Sequence, residues 1–321
     1  MAVYVNTNYS ALQGQRYLGN VQNQLTTTYQ RLSSGMRINS AKDDAAGLQI
    51  ADRLTSQING LNQGNRNASD GIALAQTMEA GMDEISGMLQ KIRTLTVQAA
   101  NGTNTTEDRT ALGKEIASLA TEVNRIAQQT TFAGKTILNG KTKTGSIFGD
   151  DANAQGNGLA GAAGAMTLQV GSNKGDTITF TANSVMFSSI GTSQDLIKED
   201  GSTFFKTTAT GEVQVLVDKL NFADQTNAKY VGKVIELMDS MISKVDGYRA
   251  DLGAIQNRLE SSIRNQSNVA ANEADARSRI RDADFAEESA NLSQQSIIQQ
   301  AASSMLMQGN TRPQLGLSLL G

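Results

Sequence analysis

Short stretches of this sequence imitate patterns that bind nucleotides in other proteins. Residues 156–161 read GNGLAG and match G-x-G-x-x-G, which holds a pyrophosphate where it links a strand to a helix. No apolar strand precedes these residues and no amphipathic helix follows them. The two GKT tripeptides, at 134–136 and 140–142, lack the glycine that a phosphate-binding loop carries five positions before its GK. We therefore expect no nucleotide and no other cofactor.

A similar imitation concerns metal ions. Asp151, Asn153, Gln155 and Gly156 follow the start of an EF-hand loop, but Ala162 stands at the last position, where that loop needs a bidentate glutamate. The chain also has no histidine and no cysteine, which removes the commonest general base, the thiol nucleophile and nearly all zinc ligand sets. We expect no metal site, and disulfides are impossible.

The remaining candidate for chemistry is the acidic pair Asp43 and Asp44, next to Lys42. Adjacent side chains on a helix point about 100° apart, so these carboxylates would not converge on one substrate atom. Acids are favourable in the first turn of a helix, where they lie near its free N–H groups. We expect that role here, with Ser40 as the N-cap. No catalytic residue is predicted, and the chain is predicted not to be an enzyme.

Charge and hydropathy exclude two classes of partner. The net charge of −3 offers no basic surface to nucleic acid. No apolar run reaches the length of about 18 residues that a membrane-spanning helix needs. The start, MAVYVNTNYS, has neither the charged nor the apolar segment of a Sec-type signal peptide. We expect no nucleic acid binding, no membrane insertion and no Sec-type export.

Helices are expected to form most of the chain. Apolar or small residues recur in steps of three and four along 72–99 and along 112–126. Asn101-Gly102 predicts a stop between these helices, and Thr105 with Asp108 predicts a capping box at the second start.

The C-terminal half carries a longer and stricter pattern. Nine residues alternate in steps of three and four: Val231, Val234, Met238, Met241, Val245, Tyr248, Leu252, Ile255 and Leu259. Such a coiled-coil seam demands partner helices, and the helices at 72–99 and 107–128 are the expected ones. An ordinary helical bundle is the alternative.

The middle of the chain, from about 141 to 228, loses the helical period. MTLQV (166–170) and DTITF (176–180) alternate around the turn GSNKG and predict a β-hairpin, with FAGKTIL (132–138) as a third strand. The predicted fold is therefore mainly α. It is a long helical coiled-coil rod built from N- and C-terminal segments, with a small β-hairpin-containing insertion between them.

The two ends of the chain share a composition. Residues 1–30 contain a single charge, Arg16, and residues 289–321 contain a single charge, Arg312. Such segments bury too little apolar surface to fold alone, but they could form helices against each other and against neighbouring copies. Low charge suits a stack of identical subunits, in which each buried charge would face its own copies.

Five segments, in this order and at the expected ends, resemble bacterial flagellin. They are RLSSGMRINSAKDDAAGLQIADRL (31–54), NRNASDGIALAQTMEAGMDEI (65–85), LGAIQNRLES (252–261), ARSRIRDADFAEESANLS (276–293) and LSLL (317–320). The resemblance covers roughly residues 1–140 and 230–321 and implies a filament subunit, exported unfolded through the flagellar type III apparatus to the extracellular filament for swimming motility. A hook–filament junction protein of the same superfamily is the alternative. A secreted enzyme with a helical stalk would need a catalytic constellation in 141–229, where none is visible.

The resemblance also implies a domain division and a set of partners. Residues 1–40 plus 284–321 would be inner-core helices, disordered in the monomer; 41–140 plus 230–283 the helical rod; and 141–229 a variable, surface-exposed segment. The main partner would be the protein itself, as a helical homopolymer. Others would be an export chaperone at the C-terminal segment, hook-associated and cap proteins, and the Toll-like flagellin receptor of hosts.

Two residue sets follow from the resemblance. The stretch 31–48 looks like the connection between inner helix and outer rod, with Gly35, Arg37, Asp43, Asp44 and Gly47 as its assembly joint. The receptor would recognise the surface formed by LQKIRTLTVQ (89–98) together with Glu115. The residues of this second set are Gln90, Lys91, Leu95, Val97 and Glu115. Lys91 and Thr94 replace the Arg and Glu of the strongly recognised pattern, and lysine cannot make the bidentate contacts of arginine.

Overall fold

A computed structural model of the chain describes residues 8–141, 145–149, 163–190, 205–207, 213–215 and 225–318. The nucleotide-like and calcium-like patterns at 151–162 lie outside the described residues, as does part of the second GKT tripeptide. The described chain is dominated by helices, as predicted. Their bounds are α1 (Tyr9–Ser34), α2 (Ala45–Ala99), α3 (Thr106–Gln129), α4 (Phe187–Ile190), α5 (Gln225–Arg281) and α6 (Phe285–Ser318).

The stop between α2 and α3 falls where the sequence predicts it. Helix α2 ends at Ala99, just before Asn101-Gly102. Helix α3 begins with the predicted capping box: the Asp108 amide donates to Thr105 Oγ1 at 3.3 Å, and the Thr105 amide donates to Asp108 Oδ2 at 3.0 Å. These bonds satisfy two N–H groups that the first turn leaves free. The Thr105 amide, together with the Thr105 hydroxyl, donates to the Asp108 carboxylate and lowers the pKa of that carboxyl.

One hydrophobic core joins the rod helices. It combines the stripes of α2, α3 and α5, represented by Met82, Ile116 and Met241, which are fully or almost fully buried. The predicted seam along α5 is therefore confirmed from Val234 to Leu259, as are its predicted partners, while the side chain of Val231 lies outside the described part. Each stripe is narrow, so each helix depends on the other two to remove its apolar side chains from water.

Six short strands form three antiparallel pairs among the described residues. They are β1 (Thr131–Phe132), β2 (Lys135–Thr136), β3 (Gly164–Gln169), β4 (Thr177–Ala182), β5 (Phe205–Thr207) and β6 (Val213–Val215). Strands β3 and β4 form the predicted hairpin, with Leu168 paired to Ile178. Their inward side chains are buried and join the core of the rod helices, and their outward ones are exposed.

The predicted third strand at 132–138 is wrong. This stretch folds back on itself as the two-stranded pair of β1 and β2, with Thr131 opposite Thr136. The turn between them places Ala133 at φ 50° and Gly134 at φ 78°, the left-handed values that a two-residue hairpin turn requires. Ile137 and Leu138 then leave the sheet and are fully buried.

The chain divides into two compact units: residues 1–59 with 268–321, the first unit, and residues 60–267, the second unit. The boundaries between the two units fall inside α2 and α5. The predicted division into three parts stays a prediction. The surface exposure of 141–229 also stays a prediction, and the described part of this segment contributes side chains to the core. Phe180, Phe187 and Ile190 are buried in the core of the second unit, because the hairpin and α4 cover the apolar side of the rod helices.

The hairpin packs closely against glycines of α2. A Cβ atom built on Gly60 would lie 2.6 Å from Ser172 Cβ, and one on Gly64 would overlap the carbonyl oxygen of Val170. Asn67, one turn further, donates from Nδ2 to the Gln169 carbonyl at 2.9 Å. Because Gly60 and Gly64 carry no side chain, the backbone of the hairpin can approach α2 closely at these two positions.

We expect Gly64→Ala to lower the unfolding free energy by about 1–3 kcal/mol, the usual cost of overpacking. Gly87→Ala is the matched control: it lies in the same helix with nothing within 4 Å of its added Cβ. There the better helix propensity of alanine should raise the unfolding free energy by up to about 1 kcal/mol. Urea unfolding followed by circular dichroism measures both. Equal midpoints for the two variants would contradict the close approach of the hairpin.

Candidate functional site: the joint at residues 31–48

The joint, residues 31–48, begins where helix α1 ends. Gly35 has φ 70°, the left-handed conformation that ends many helices, and its amide donates to the Arg31 carbonyl at 2.9 Å. Any residue other than glycine is strained at this backbone angle. The sequence-based choice of Gly35 as a joint residue thus coincides with a conformational need, while its role in assembly stays a prediction.

Helix α2 begins later than predicted. Its first residue is Ala45, and Asp44 Oδ1 accepts a 2.8 Å hydrogen bond from the Gly47 amide, the third of the helix. Asp44 is therefore the N-cap, and the expectation of Ser40 in that role is wrong. Residues 41–43 form a turn instead. The physical reason is that an N-cap carboxylate binds N–H groups two or three residues ahead, which Ser40 is too far away to do.

Asp43 organises that turn. Its Oδ2 accepts from the Ser40 amide at 2.9 Å, from the Asn39 amide at 3.1 Å and from Ser40 Oγ at 3.1 Å. The two backbone N–H donors, helped by the Ser40 hydroxyl and the charge of Arg31, hold the pKa of the Asp43 carboxyl below its ordinary value. The two acids thus have different roles, because Asp43 closes a turn and Asp44 starts a helix.

Gly47 is buried beneath this turn. A Cβ atom there would lie 2.5 Å from Asp44 Oδ2 and 2.8 Å from Ile38 Cδ1. Ile38 itself is 1% exposed. The glycine therefore lets the turn fold back onto the first turn of α2.

The joint pairs with the second connection of the first unit, between α5 and α6. The Arg37 amide donates to the Arg281 carbonyl at 2.7 Å, and the Ala283 amide donates to the Gly35 carbonyl at 3.0 Å. Met36 and Asp282 form an isolated antiparallel bridge. The Arg37 guanidinium adds a 2.7 Å bond from Nη2 to the Ile280 carbonyl. Two connections far apart in sequence are thus tied into one structure.

Sequence reasoning missed the residues on the α5–α6 side of this pairing. Asp284 Oδ1 accepts from the Ala286 amide at 2.8 Å and caps α6. Arg31 Nη1 lies 3.2 Å from Glu288 Oε1, and only 9% of the Glu288 side chain is exposed. The available signal was the segment 276–293, which carries the family resemblance but gives no indication of what it contacts.

The joint can set the direction of the helices that it connects. Its polar side chains form hydrogen bonds with main-chain atoms. Asp43, Asp44 and Arg37 each bind main-chain atoms. Among the described residues no group of three or more acids could hold a metal ion. No helix within that part of the chain is long and apolar enough to cross a membrane.

The residues expected to meet a receptor lie in the second unit. Gln90 and Lys91 are exposed on α2, Lys91 Nζ forms a 3.0 Å ion pair with Glu115 Oε1 of α3, and Val97 is 47% exposed. Leu95 differs, since it is 8% exposed and belongs to the core. The structure therefore groups Lys91 and Glu115 and leaves Leu95 beneath the surface.

Two family models match this chain. The bacterial flagellin N-terminal helical region matches residues 5–143, and the bacterial flagellin C-terminal helical region matches residues 235–320. Flagellin D of Vibrio anguillarum is 37% identical over 377 aligned residues, and Flagellin C of Vibrio cholerae is 36% identical over 385. Both matches cover 100% of this chain and 100% of the relative. The chain belongs to the bacterial flagellin family.

The structure of a protein assigned as a flagellar hook-associated protein, from Vibrio parahaemolyticus, resembles this flagellin in fold. The TM-score is 0.56, with 17% sequence identity, and the match covers 75% of this chain and 100% of that one. Flagellins are structural proteins of the flagellar filament, and the role of the joint residues stays a prediction.

We expect Asp43→Asn to lower the melting temperature at pH 7. The folded pKa of Asp43 lies below its ordinary value of 3.8, so its stabilising contribution is present above that value and lost as the pH falls through the folded pKa. The difference from wild type should therefore shrink as the pH falls below 3.8. Thermal scans between pH 7 and strong acid test this. Asp52→Asn, at an exposed position of α2, is the control, and identical shifts in both variants would contradict the role of Asp43.

Proposed function

We propose that this flagellin is the subunit of a helical homopolymer, the flagellar filament used for swimming. The full-length match to flagellins at 36–37% identity carries the proposal. Export through the flagellar type III apparatus and an extracellular location in the filament belong to the same proposal. The proposed chemistry is association alone, with no bond made or broken.

The surface of the terminal helices supports self-assembly. Helices α1 and α6 pack against each other, yet both leave large apolar side chains in water. Tyr9, Tyr17 and Met305 are 75%, 56% and 73% exposed. A groove of about 1070 Å³ between the two helices is lined by Tyr17, Met305 and several small residues. An exposed apolar face of this kind is costly in an isolated subunit, and neighbouring copies would cover it.

In this proposal the joint fixes how the terminal helices leave the rod helices. Residues 1–40 and 284–321 are proposed to be disordered in the monomer and to become ordered on assembly. Their composition supports this, because one charge in each terminal segment and few large apolar residues leave little driving force for folding alone.

The hook–filament junction protein is the second candidate, and the fold likeness to a hook-associated protein favours keeping it. At 17% identity that likeness concerns the fold alone. The flagellins match over the whole of both chains, which favours the filament subunit. Quantifying the chain in sheared appendages separates the two, since a filament subunit forms their bulk and a junction protein only a trace.

Further partners are proposed from the family resemblance. They are an export chaperone at the C-terminal segment, hook-associated and cap proteins, and the Toll-like flagellin receptor of hosts. For the receptor, the exposed Lys91 and Glu115 ion pair would be part of the recognised surface, together with Gln90 and Val97.

We expect Lys91→Arg to lower the flagellin concentration needed for half-maximal receptor signalling by several fold, because arginine can contact a carboxylate with two parallel bonds. Lys91→Ala should raise that concentration. A reporter-cell assay with purified monomer measures both. Lys114→Ala, at an exposed position of α3, is the control. Unchanged signalling in both Lys91 variants would remove this residue from the recognised surface.

The central test is seeded polymerisation. Purified monomer should elongate short filament seeds into filaments visible by electron microscopy, and limited proteolysis should trim both ends of the monomer but spare them in the polymer. Gly47→Ala should reduce sedimented polymer strongly, because its Cβ would displace the Asp44 carboxylate and Ile38.

Gly247→Ala is the control for this substitution, since it is an exposed helical glycine with nothing within 4 Å of the added Cβ. Circular dichroism of each monomer shows whether folding is preserved. Wild-type monomer that never elongates seeds would contradict the filament function. Normal elongation by Gly47→Ala would remove only the joint from the account.

A further inference from the structure

Helix α1 carries a heptad seam that faces α6. Its buried and partly buried positions advance in alternating steps of three and four: Ala11, Gly14, Leu18, Val21, Leu25, Thr28 and Leu32. Helix α6 carries a matching seam: Glu288, Leu292, Gln295, Gln299, Ala302, Leu306 and Gly309. Such alternation is the geometry of two helices packed along their length.

Apolar side chains at these positions do not fix one alignment. Because each seam repeats every seven residues, sliding one helix along the other by one heptad, about 10 Å, again brings seam against seam. Small and apolar residues recur along both seams, apart from the partly buried Gln299 at the centre of the α6 seam, so packing alone separates these alignments poorly. A polar residue at a seam position changes this, since it needs a partner in one alignment only.

Two polar contacts lie in or beside the seam next to the joint. Thr28 is 4% exposed, and its hydroxyl oxygen lies 3.1 Å from Gln295 Oε1 of α6 and 3.1 Å from the Gln24 carbonyl of its own helix. One turn later Arg31 Nη1 lies 3.2 Å from Glu288 Oε1, and Glu288 is 7% exposed. Both contacts belong to the same antiparallel alignment, because a step back along α1 is matched by a step forward along α6.

A slipped alignment breaks both contacts between the helices, although Thr28 keeps the Gln24 carbonyl of its own helix. A slip of one heptad in one direction places Gln295 against Val21, and in the other it places Thr28 against Ala302. Either slip also separates Arg31 from the mostly buried carboxylate of Glu288. Removing the guanidinium from the mostly buried carboxylate of Glu288 is strongly unfavourable, and the native alignment keeps this contact.

The charged contact also distinguishes between partner helices. In a pair of two α1 helices, Arg31 would have no Glu288 carboxylate to bind. In a pair of two α6 helices, Glu288 would have no Arg31. Identical chains at high concentration make such pairings available. A contact between unlike residues at seam positions therefore favours α1 with α6 over like pairs.

We propose that Thr28 and Gln295, with Arg31 and Glu288, are positioning residues that select α6 as the partner of α1 in this one register. This deepens the proposed function, because ordered terminal helices are what that assembly requires. The joint holds only the near end of the helix pair. Gly14 lies about 25 Å further along α1 by helical rise, so register there reports on the seam itself.

The chain has no cysteine, which permits a direct measurement of register. Gly14 and Leu306 are neighbours, since a Cβ on Gly14 would lie 3.2 Å from Leu306 Cδ1. Gly14→Cys with Leu306→Cys reports the native register, and Gly14→Cys with Gln299→Cys reports a slip of one heptad. Diamide oxidation of the full-length chain in the seeded polymerisation mixture, where the terminal helices are proposed to become ordered, is followed on non-reducing gels. Intramolecular bonds give a monomer band of altered mobility, and bonds between copies give multimers.

The native reporter should exceed the slip reporter by at least about 5-fold when the polar contacts are intact. Adding Thr28→Val and Gln295→Leu to both reporters keeps the seam apolar and should lower this ratio by at least about 2-fold, while the contact of Arg31 with Glu288 preserves part of the preference. Thr26→Val is the control, because the exposed Thr26 hydroxyl donates to the Gln22 carbonyl of its own helix at 2.9 Å. A ratio unchanged by the apolar pair would overturn the proposal for Thr28 and Gln295.

Charge exchange tests the second contact. Arg31→Glu should reduce the native cross-link and increase multimers, and adding Glu288→Arg should restore the native yield to within about 2-fold. Arg16→Glu, at an exposed position of α1, should have no effect. Failure of the exchange to restore the yield would overturn the role of this pair.

Wild-type chain that does not elongate seeds but keeps the native ratio would contradict the filament function and support the register proposal. Absence of both cross-links would overturn the register.

Discussion

The rod helices α2, α3 and α5 each bury an apolar stripe against the other two, and this arrangement constrains the rest of the second unit. An isolated helix of this kind gains little from folding, because water still covers its stripe. In the second unit Met82, Ile116 and Met241 escape water only because α2, α3 and α5 cover one another. The hairpin and α4 complete the cover, so the insertion stabilises the rod helices as well as interrupting them.

Sequence reasoning succeeds where the physical cause is local or periodic. The steps of three and four along α5 predict a buried stripe whatever the partner is, and Thr105 with Asp108 predicts a helix start from atoms three residues apart. Alternation around GSNKG predicts the hairpin for the same reason. For the joint, Gly35 and Gly47 could be chosen because glycine at a break suggests backbone requirements that other residues do not meet.

The failures share a dependence on contacts between distant parts of the chain or on competition between neighbours. Ser40 and Asp44 are both good N-caps by composition, and only the path of the turn held by Asp43 decides between them. The stretch 132–138 has strand-forming residues, but Ile137 and Leu138 are more stable in the core than in a sheet. The pairing of Arg37 with Arg281 joins residues 244 positions apart, and no local pattern encodes it.

The first unit shows how the same stripe principle serves helices with almost no charge. Arg31 and Glu288 stand at the end of α1 and the start of α6, beside the joint, while the apolar surfaces of both helices continue away from it into water. Polar contacts near the joint thus align the two helices, and the exposed remainder provides area for association. Alignment and association require opposite chemistry, since a buried charge specifies one partner whereas apolar area favours any cover. The polar contacts lie near the joint and the exposed apolar area lies further along the same two helices. One helix pair can therefore satisfy both requirements.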